Sequence, residues 1–145
     1  MNIKLVPIDK SNWGACARLK VTEEQTHFVA SNAYSVLQSF YEANEFPNGI
    51  YADDVMVGFV MYDYDPDDDT WGMCRLMVDY RHQKKGYGRA ALKILLEMMR
   101  ERHGHIRFYT SAVPQNDIAI KMYEDEGFKK TGEIDDGEVV LAIDL

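Results

Sequence analysis

Residues 75–99, RLMVDYRHQKKGYGRAALKILLEMM, change hydrophobic period in their middle. Up to Val78 the pattern suits a strand, and from Tyr87 the apolar residues Ala91, Leu92, Leu95, Met98 and Met99 fall on one helical face. The join between them is basic and contains two glycines, Gly86 and Gly88. A strand that feeds a helix through such a turn directs successive backbone N–H groups over the positive end of the helix dipole. Glycine there tolerates unusual φ values and lets an anion approach the backbone closely. Gln83, Lys84, Lys85 and Arg89 add donors and positive charge, so the chemistry is that of a pyrophosphate seat. A tight turn with solvated lysines is the competing reading. The Walker pattern GxxxxGK[ST] is absent, and Gly86-Tyr87-Gly88 lacks the third glycine of a dinucleotide fingerprint.

The same two periods predict the rest of the chain. Residues 2–8 form a first strand, and a short helix follows Ser11. Thr22 and Gln25 have capping-box spacing, with Glu23 and Glu24 in the first turn. Phe28, Val29, Ala33, Val36, Leu37 and Phe40 then continue one long helix that ends before Pro47. From Gly49 two strands flank a turn at Asp53-Asp54, and residues 70–79 form another strand. A helix over 87–103 ends at Gly104, a strand covers 105–113, and a helix over 115–126 stops at Gly127. A hairpin around Asp136-Gly137 closes the chain. One mixed α/β domain over residues 1–145 is the expectation.

Composition removes several function classes. With 46% hydrophobic and 12% aromatic residues the chain is not disordered, and no apolar run is long enough for a membrane span. The N-terminus turns polar too early for a signal peptide. Cys16 and Cys74 have no CxxC partner or matching histidines, so reduced thiols, no metal and a cytoplasmic location are expected. The net charge of −8 disfavours nucleic acid and anionic membrane as partners and favours cations.

A second segment gives the basic loop its meaning. NDIAIKMYEDEGF sets Asn116, Ala119 and Tyr123 at i, i+3 and i+7, on one face of a short helix that Gly127 terminates. Together the segments resemble the GCN5-related N-acetyltransferase superfamily. Gln83-Lys84-Lys85-Gly86-Tyr87-Gly88 matches its Q/R-x-x-G-x-G/A motif, and Asn116 to Phe128 matches N-x-x-A-x-x-x-Y-x-x-x-G-F. The resemblance spans residue 50 to the end. It implies an α+β fold whose mixed, mostly antiparallel sheet has splayed middle strands, and acetyl-CoA as the donor. It further implies that Leu76, Met77 and Val78 offer backbone groups to the pantetheine and the acetyl carbonyl. The amides of residues 84–89, Tyr87 included, would hold the pyrophosphate. Asn116, with Ala119 beside it, would meet the cofactor arm, and Tyr123 would protonate the departing thiolate. Many members of the superfamily dimerise, so a homodimer is a further expectation.

The chemistry asks for a neutral amine, an oxyanion stabiliser and an acid for the sulfur, with no covalent enzyme intermediate. Cys74 has no partner base and reads as a strand residue. The stretch around FVASNAYS (residues 28–35) and the RLMVDYRHQKKGYGRAAL stretch are similar to the bacterial spermine/spermidine (diamine) acetyltransferases. A small cationic amine fits the spread of carboxylates: Glu23, Glu24, Glu42, Glu45, Asp53, Asp54, Asp63 and Asp65. Singly, each has a bland role at a cap, turn or solvated loop. Trp71 or Tyr34 would pack along a methylene chain and offer a cation–π face. His27, Glu24 and Glu42 are candidates for a base, and a polyamine's own charges lower its amine pKa values. Another amine (an aminoglycoside, an amino acid or a protein N-terminus) and a non-catalytic acetyl-CoA binder are the alternatives.

Overall fold

The computed structural model describes residues 2–145. Seven strands form one sheet in the order β1-β2-β3-β4-β5-β7-β6. They are β1 (Ile3–Pro7), β2 (Glu45–Ala52), β3 (Val55–Asp65), β4 (Thr70–Val78), β5 (Arg107–Ala112), β6 (Lys129–Asp135) and β7 (Glu138–Asp144). Every neighbouring pair is antiparallel except β4–β5. That pairing is the mostly antiparallel α+β class that the family resemblance implies.

Helices cover both faces, as the inward pattern of two-sided strands requires. α3 (Tyr87–His103) buries Ala91, Leu92, Leu95, Leu96 and Met99 in the larger core with Val57, Val60 and Phe108. α4 (Asp117–Asp125) adds Ile120 and Tyr123 to that core. α1 (Trp13–Arg18) and α2 (Asn32–Tyr41) lie on the opposite face, where Cys16, Leu19, Met56, Phe59, Met61 and Met77 form a second cluster. β3 therefore serves both cores, which explains its near-continuous burial from Met56 to Tyr62. No helix among the described residues is long and apolar enough to cross a membrane.

The long helix expected from Thr22 is broken in two. The capping box is present, with the Gln25 side chain accepting from the Thr22 N–H at 3.2 Å, yet it caps only a 3-10 turn, Glu23–Gln25. Thr26 Oγ1 then donates back to the Glu23 carbonyl at 2.7 Å, and the chain runs irregularly until Ser31 caps α2 through the Tyr34 N–H. The apolar spacing of Phe28 and Val29 arises because both border a cleft rather than continue a helix face. Pro47, expected beyond a helix, lies inside β2.

Candidate active site

β4 holds one residue more than β3 can match. Met61 pairs with Arg75 and Tyr62 with Met73, so Cys74 is left over as a bulge. A bulge bends its strand and ends regular pairing, and β4 leaves β5 at this residue. Their parallel pairing covers only Trp71–Phe108, Gly72–Tyr109 and Met73–Thr110. The Thr110 hydroxyl fixes the last step by donating to the Met73 carbonyl at 3.0 Å. Beyond it the strands part around a cleft of about 750 Å³. Burial pushes the Cys74 thiol up to about 12, so it stays a neutral strand residue.

Part of the backbone on the cleft side of β4 is free to bind. Asp79 N–H donates to the Val57 carbonyl at 2.8 Å. Antiparallel alternation then turns the polar groups of Met77 toward β3 and those of Leu76 and Val78 toward the cleft. The Val78 carbonyl is taken there by Gln83 Nε2, at 2.9 Å.

The basic loop leads from β4 into α3. Lys84 (φ 63°) and Gly86 (φ 83°) both adopt the left-handed region, which coils the loop beneath the start of the helix. The amides of residues 84–89 have no acceptor among the described residues, so they are the orphan donors of a 17-residue helix and its entry loop. A Cβ on Gly86 would meet nothing within 4 Å, which leaves that side of the loop open. Lys84 and Lys85 are exposed and form no ion pair among the described residues. Arg89 is already engaged: it bonds Glu126 at 2.8 Å and Asp125 at 3.3 Å, tying α3 to the end of α4. These groups fit a diphosphate through orphan N–H donors and two free lysines, with Arg89 contributing only its amide.

Across the cleft, Asn116 caps α4 by accepting from the Ala119 N–H at 3.3 Å. Tyr123, 5% exposed, reaches the point where the strands diverge and lies beside Thr110. Burial pushes its phenol up to about 12, with the Thr110 hydroxyl easing the shift and Glu138 adding to it. It is a neutral hydrogen-bond donor at any physiological pH.

A smaller pocket of about 300 Å³ meets the cleft at Met73, Cys74, Thr110 and Ser111. Asp63, Asp65 and Asp135 line it, and no lysine, arginine or histidine does. Glu45, Asp63 and Gly72 stand opposite one another across β2, β3 and β4. Gly72 leaves the floor bare, and Asp63 Oδ1 lies 3.3 Å from where a Cβ at that position would be. Burial raises the Asp63 carboxyl to about 6 against the opposing pull of Arg75. Burial and the adjacent Glu42 raise Glu45 to about 7, and Glu45 Oε1 is buried without a hydrogen-bond partner among the described residues.

The structure thus brings Leu76, Met77, Val78, Gln83, Gly88, Asn116, Ala119 and Tyr123 around one cleft, with residues 84–87 at its entrance. It does not bring in every acceptor-side residue the sequence suggests. Tyr34 is exposed on α2, and Glu24 follows the 3-10 turn outward, so neither borders either cavity. Trp71 borders the smaller pocket, but its ring is stacked on His103 at 4.3 Å and packed at a tilt against Tyr64 at 4.8 Å. Glu42 borders neither cavity, and its one link toward the acidic pocket is through Glu45, whose carboxyl it helps to raise. Asp63, previously one acidic residue among many, becomes central. Its signal is in the sequence: it continues the period-two face of Phe59 and Met61, where a carboxylate is unexpected.

The chain is similar to known proteins in sequence and fold. Residues 13–128 match the Acetyltransferase (GNAT) family. The spermine/spermidine N(1)-acetyltransferase of Bacillus subtilis (strain 168) is 32% identical, with both chains covered completely. A PaiA N-acetyltransferase from Thermoplasma acidophilum, solved with coenzyme A, superposes with a TM-score of 0.71 at 16% identity over the whole of both chains. The aminoglycoside acetyltransferase AAC(6')-Ib, also solved with coenzyme A, gives 0.79 at 15% identity, covering 97% of this chain and 93% of the other.

Proposed function

The chain belongs to the acetyltransferase (GNAT) family, and from that premise we propose that it moves an acetyl group from acetyl-CoA to a primary amine of a polyamine such as spermidine or spermine. The observation that carries this reading is the continuity of two unlike cavities at the β4–β5 divergence. One starts at a loop of orphan amides and lysines, and the other is lined by carboxylates with no cation among them. An anionic donor and a cationic acceptor would approach the same point from opposite sides.

Acetyl-CoA supplies an activated thioester; the rest is the work of this chain. The amides of residues 84–89 and Lys84 and Lys85 hold the diphosphate. The Leu76 and Val78 backbone groups turned into the cleft align the pantetheine, and an N–H there polarises the acetyl carbonyl. Asn116 keeps its Nδ2 donor for the cofactor arm, since only its Oδ1 is used by the cap. Asp63, with Glu45 behind it, attracts the ammonium and accepts one proton from it. The neutral amine attacks the carbonyl carbon, the C–S bond breaks, and the Tyr123 hydroxyl hydrogen-bonds and protonates the sulfur. The second nitrogen proton restores the phenol, so one proton is released per acetyl transferred. The transfer is direct, in one domain spanning the sheet, and the neutral Cys74 thiol takes no part.

Support for the polyamine comes from the acidic pocket and from the 32% identity to a spermine/spermidine acetyltransferase. The test is thiol release from acetyl-CoA across an amine panel that includes spermidine, spermine, a monoamine and an aminoglycoside. Turnover should be highest with the polyamines. If spermidine and spermine give no more thiol than buffer, the polyamine reading is wrong. If no amine reacts while acetyl-CoA raises the melting temperature, the chain is a binder.

A further inference from the structure

The capping-box glutamine does more than cap. Gln25 Oε1 accepts from the Thr22 N–H at 3.2 Å and from Gln83 Nε2 at 2.8 Å. Its own Nε2 donates to Gln83 Oε1 at 3.3 Å. The second hydrogen of Gln83 Nε2 goes to the Val78 carbonyl at 2.9 Å. Two side-chain amides 58 residues apart are therefore paired face to face, each using both its ends.

Each glutamine belongs to a different wall. Gln83 opens the loop whose orphan amides follow at residues 84–89, and Lys84 beside it holds φ at 63°. Gln25 begins the irregular segment whose residues 25–30 border the cleft. That segment has a second, firmer attachment at its start. The Lys20 N–H donates to the fully buried Asp79 carboxylate at 2.9 Å, and the Tyr80 N–H donates to the Lys20 carbonyl at 2.8 Å. Residues 22–31 thus hang from a fixed hinge at Lys20 and are latched to the loop by a neutral, half-buried amide pair. Such a pair is stable enough to form in the free protein and weak enough to open, because each neutral hydrogen bond contributes only about 1 kcal/mol net.

We propose that Gln25 is a positioning residue whose amide pair with Gln83 couples the loop at 84–89 to the segment at 22–31, so that occupation of each side of the cleft favours occupation of the other. This rests on reading the cleft as the joint site of acetyl-CoA and a polyamine. A ligand that fixes residues 83–89 holds Gln83 where Gln25 can reach it, which keeps the segment folded over the cleft. By linkage, a ligand that needs the folded segment steadies the loop equally. Gln25 itself need touch neither ligand.

The experiment is titration calorimetry of coenzyme A with and without saturating spermidine, which forms no product. It is run on the wild type, Gln25→Leu and Gln83→Leu. Spermidine should tighten coenzyme A about five- to tenfold in the wild type and less than twofold in either variant, a typical size for such coupling. An equal factor in the wild type and Gln25→Leu overturns the proposal, whatever happens to the individual affinities. Hydrogen exchange with coenzyme A alone separates this proposal from the functional reading. Protection should appear at 84–89 in both the wild type and Gln25→Leu, but at 22–31 only in the wild type. Protection at 84–89 without any change at 22–31 in the wild type refutes the coupling and leaves the donor site standing. No protection at 84–89 refutes both.

Discussion

Asp63 is the residue at which stability and binding should oppose each other, and Asp63→Asn tests that. Its carboxyl is raised from 3.8 to about 6, mainly by burial, although Arg75 pulls it down and Asp65 pushes it up. Two units at 1.36 kcal/mol each would set an upper bound of about 3 kcal/mol for keeping the charge in the folded pocket. Solvent in the open pocket screens part of this, so about 1–2 kcal/mol is the working figure. The sign follows from linkage. A carboxyl whose folded pKa is raised contributes stability that is complete below its unfolded pKa near 4 and lost as pH rises to 6. The asparagine variant suffers no such loss. It should therefore melt about 2–8 °C above the wild type at pH 8, at roughly 2–4 °C per kcal/mol for a chain of this size. The gain should shrink through pH 6 and reach a constant offset by pH 4. That offset contains whatever the amide itself does to packing, so the difference between pH 8 and pH 4 isolates the charge. Thermal melts by circular dichroism at pH 4, 5, 6 and 8 make the measurement, and kcat/KM for spermidine should fall at the same time. A variant whose melting offset is the same at pH 8 and pH 4, or smaller at pH 8, would mean that Arg75 fully compensates Asp63. The pocket would then lack the unpaired charge that the cationic acceptor is proposed to meet.

Three further substitutions or conditions test the rest of the site. Tyr123→Phe should lower kcat at least about 100-fold, the lower end for a positioned acid, while calorimetry finds coenzyme A affinity within about twofold; an unchanged kcat removes the phenol from the chemistry. The pH profile of kcat/KM for spermidine should fall on the acid side through about 6 to 7 as Asp63 and Glu45 take up protons, with no alkaline limb from Tyr123 below about 12; a profile flat down to pH 5 contradicts the carboxylate role. Gly86→Val places a β-branched residue at φ 83°, where a Cβ would meet no heavy atom within 4 Å, so the expected cost is backbone strain of about 1–2 kcal/mol and a fall of at least about tenfold in coenzyme A affinity by calorimetry.

The parts of this structure that follow from short-range rules were legible in the sequence. The period changes at Val78 and Tyr87, the glycine stops at 104 and 127 and the Asp136-Gly137 hairpin each depend on a few neighbouring residues. So did the left-handed turn at Gly86. The bulge at Cys74 was not legible, because a bulge is a mismatch between two strands and neither carries it alone. That one extra residue determines where β4 leaves β5 and therefore where the cleft opens. The broken helix has the same kind of origin. Thr22 and Gln25 satisfied a local rule, and the capping hydrogen bond is present, but the helix does not continue and residues 26–30 border the cleft instead.

The acidic side of the site makes the point most clearly. Read along the chain, Glu45, Asp63 and Asp135 are three charges in three unrelated stretches, each with an ordinary solvated explanation. The sheet order places β2, β3 and β4 side by side, and register sets Glu45 against Asp63 and Asp63 against Gly72. Like charges opposite each other in a sheet are destabilising; here burial is the main cause that raises both carboxyls, Asp63 adds to the shift at Glu45, and one Glu45 oxygen has no partner among the described residues. A fold under no other demand would remove that repulsion with a single substitution on either strand. The repulsion is tolerable if the pair spends its working life beside a cation, since one ammonium would restore both carboxyls toward their ordinary range. The basic loop obeys the same argument with the sign reversed: Lys84 and Lys85 lie next to orphan amides with no carboxylate partner among the described residues, while nearby Arg89 is neutralised within the fold. The net charge of −8 thus has a local structure, in which the uncompensated charges of each sign lie where a ligand of the other sign would complete them.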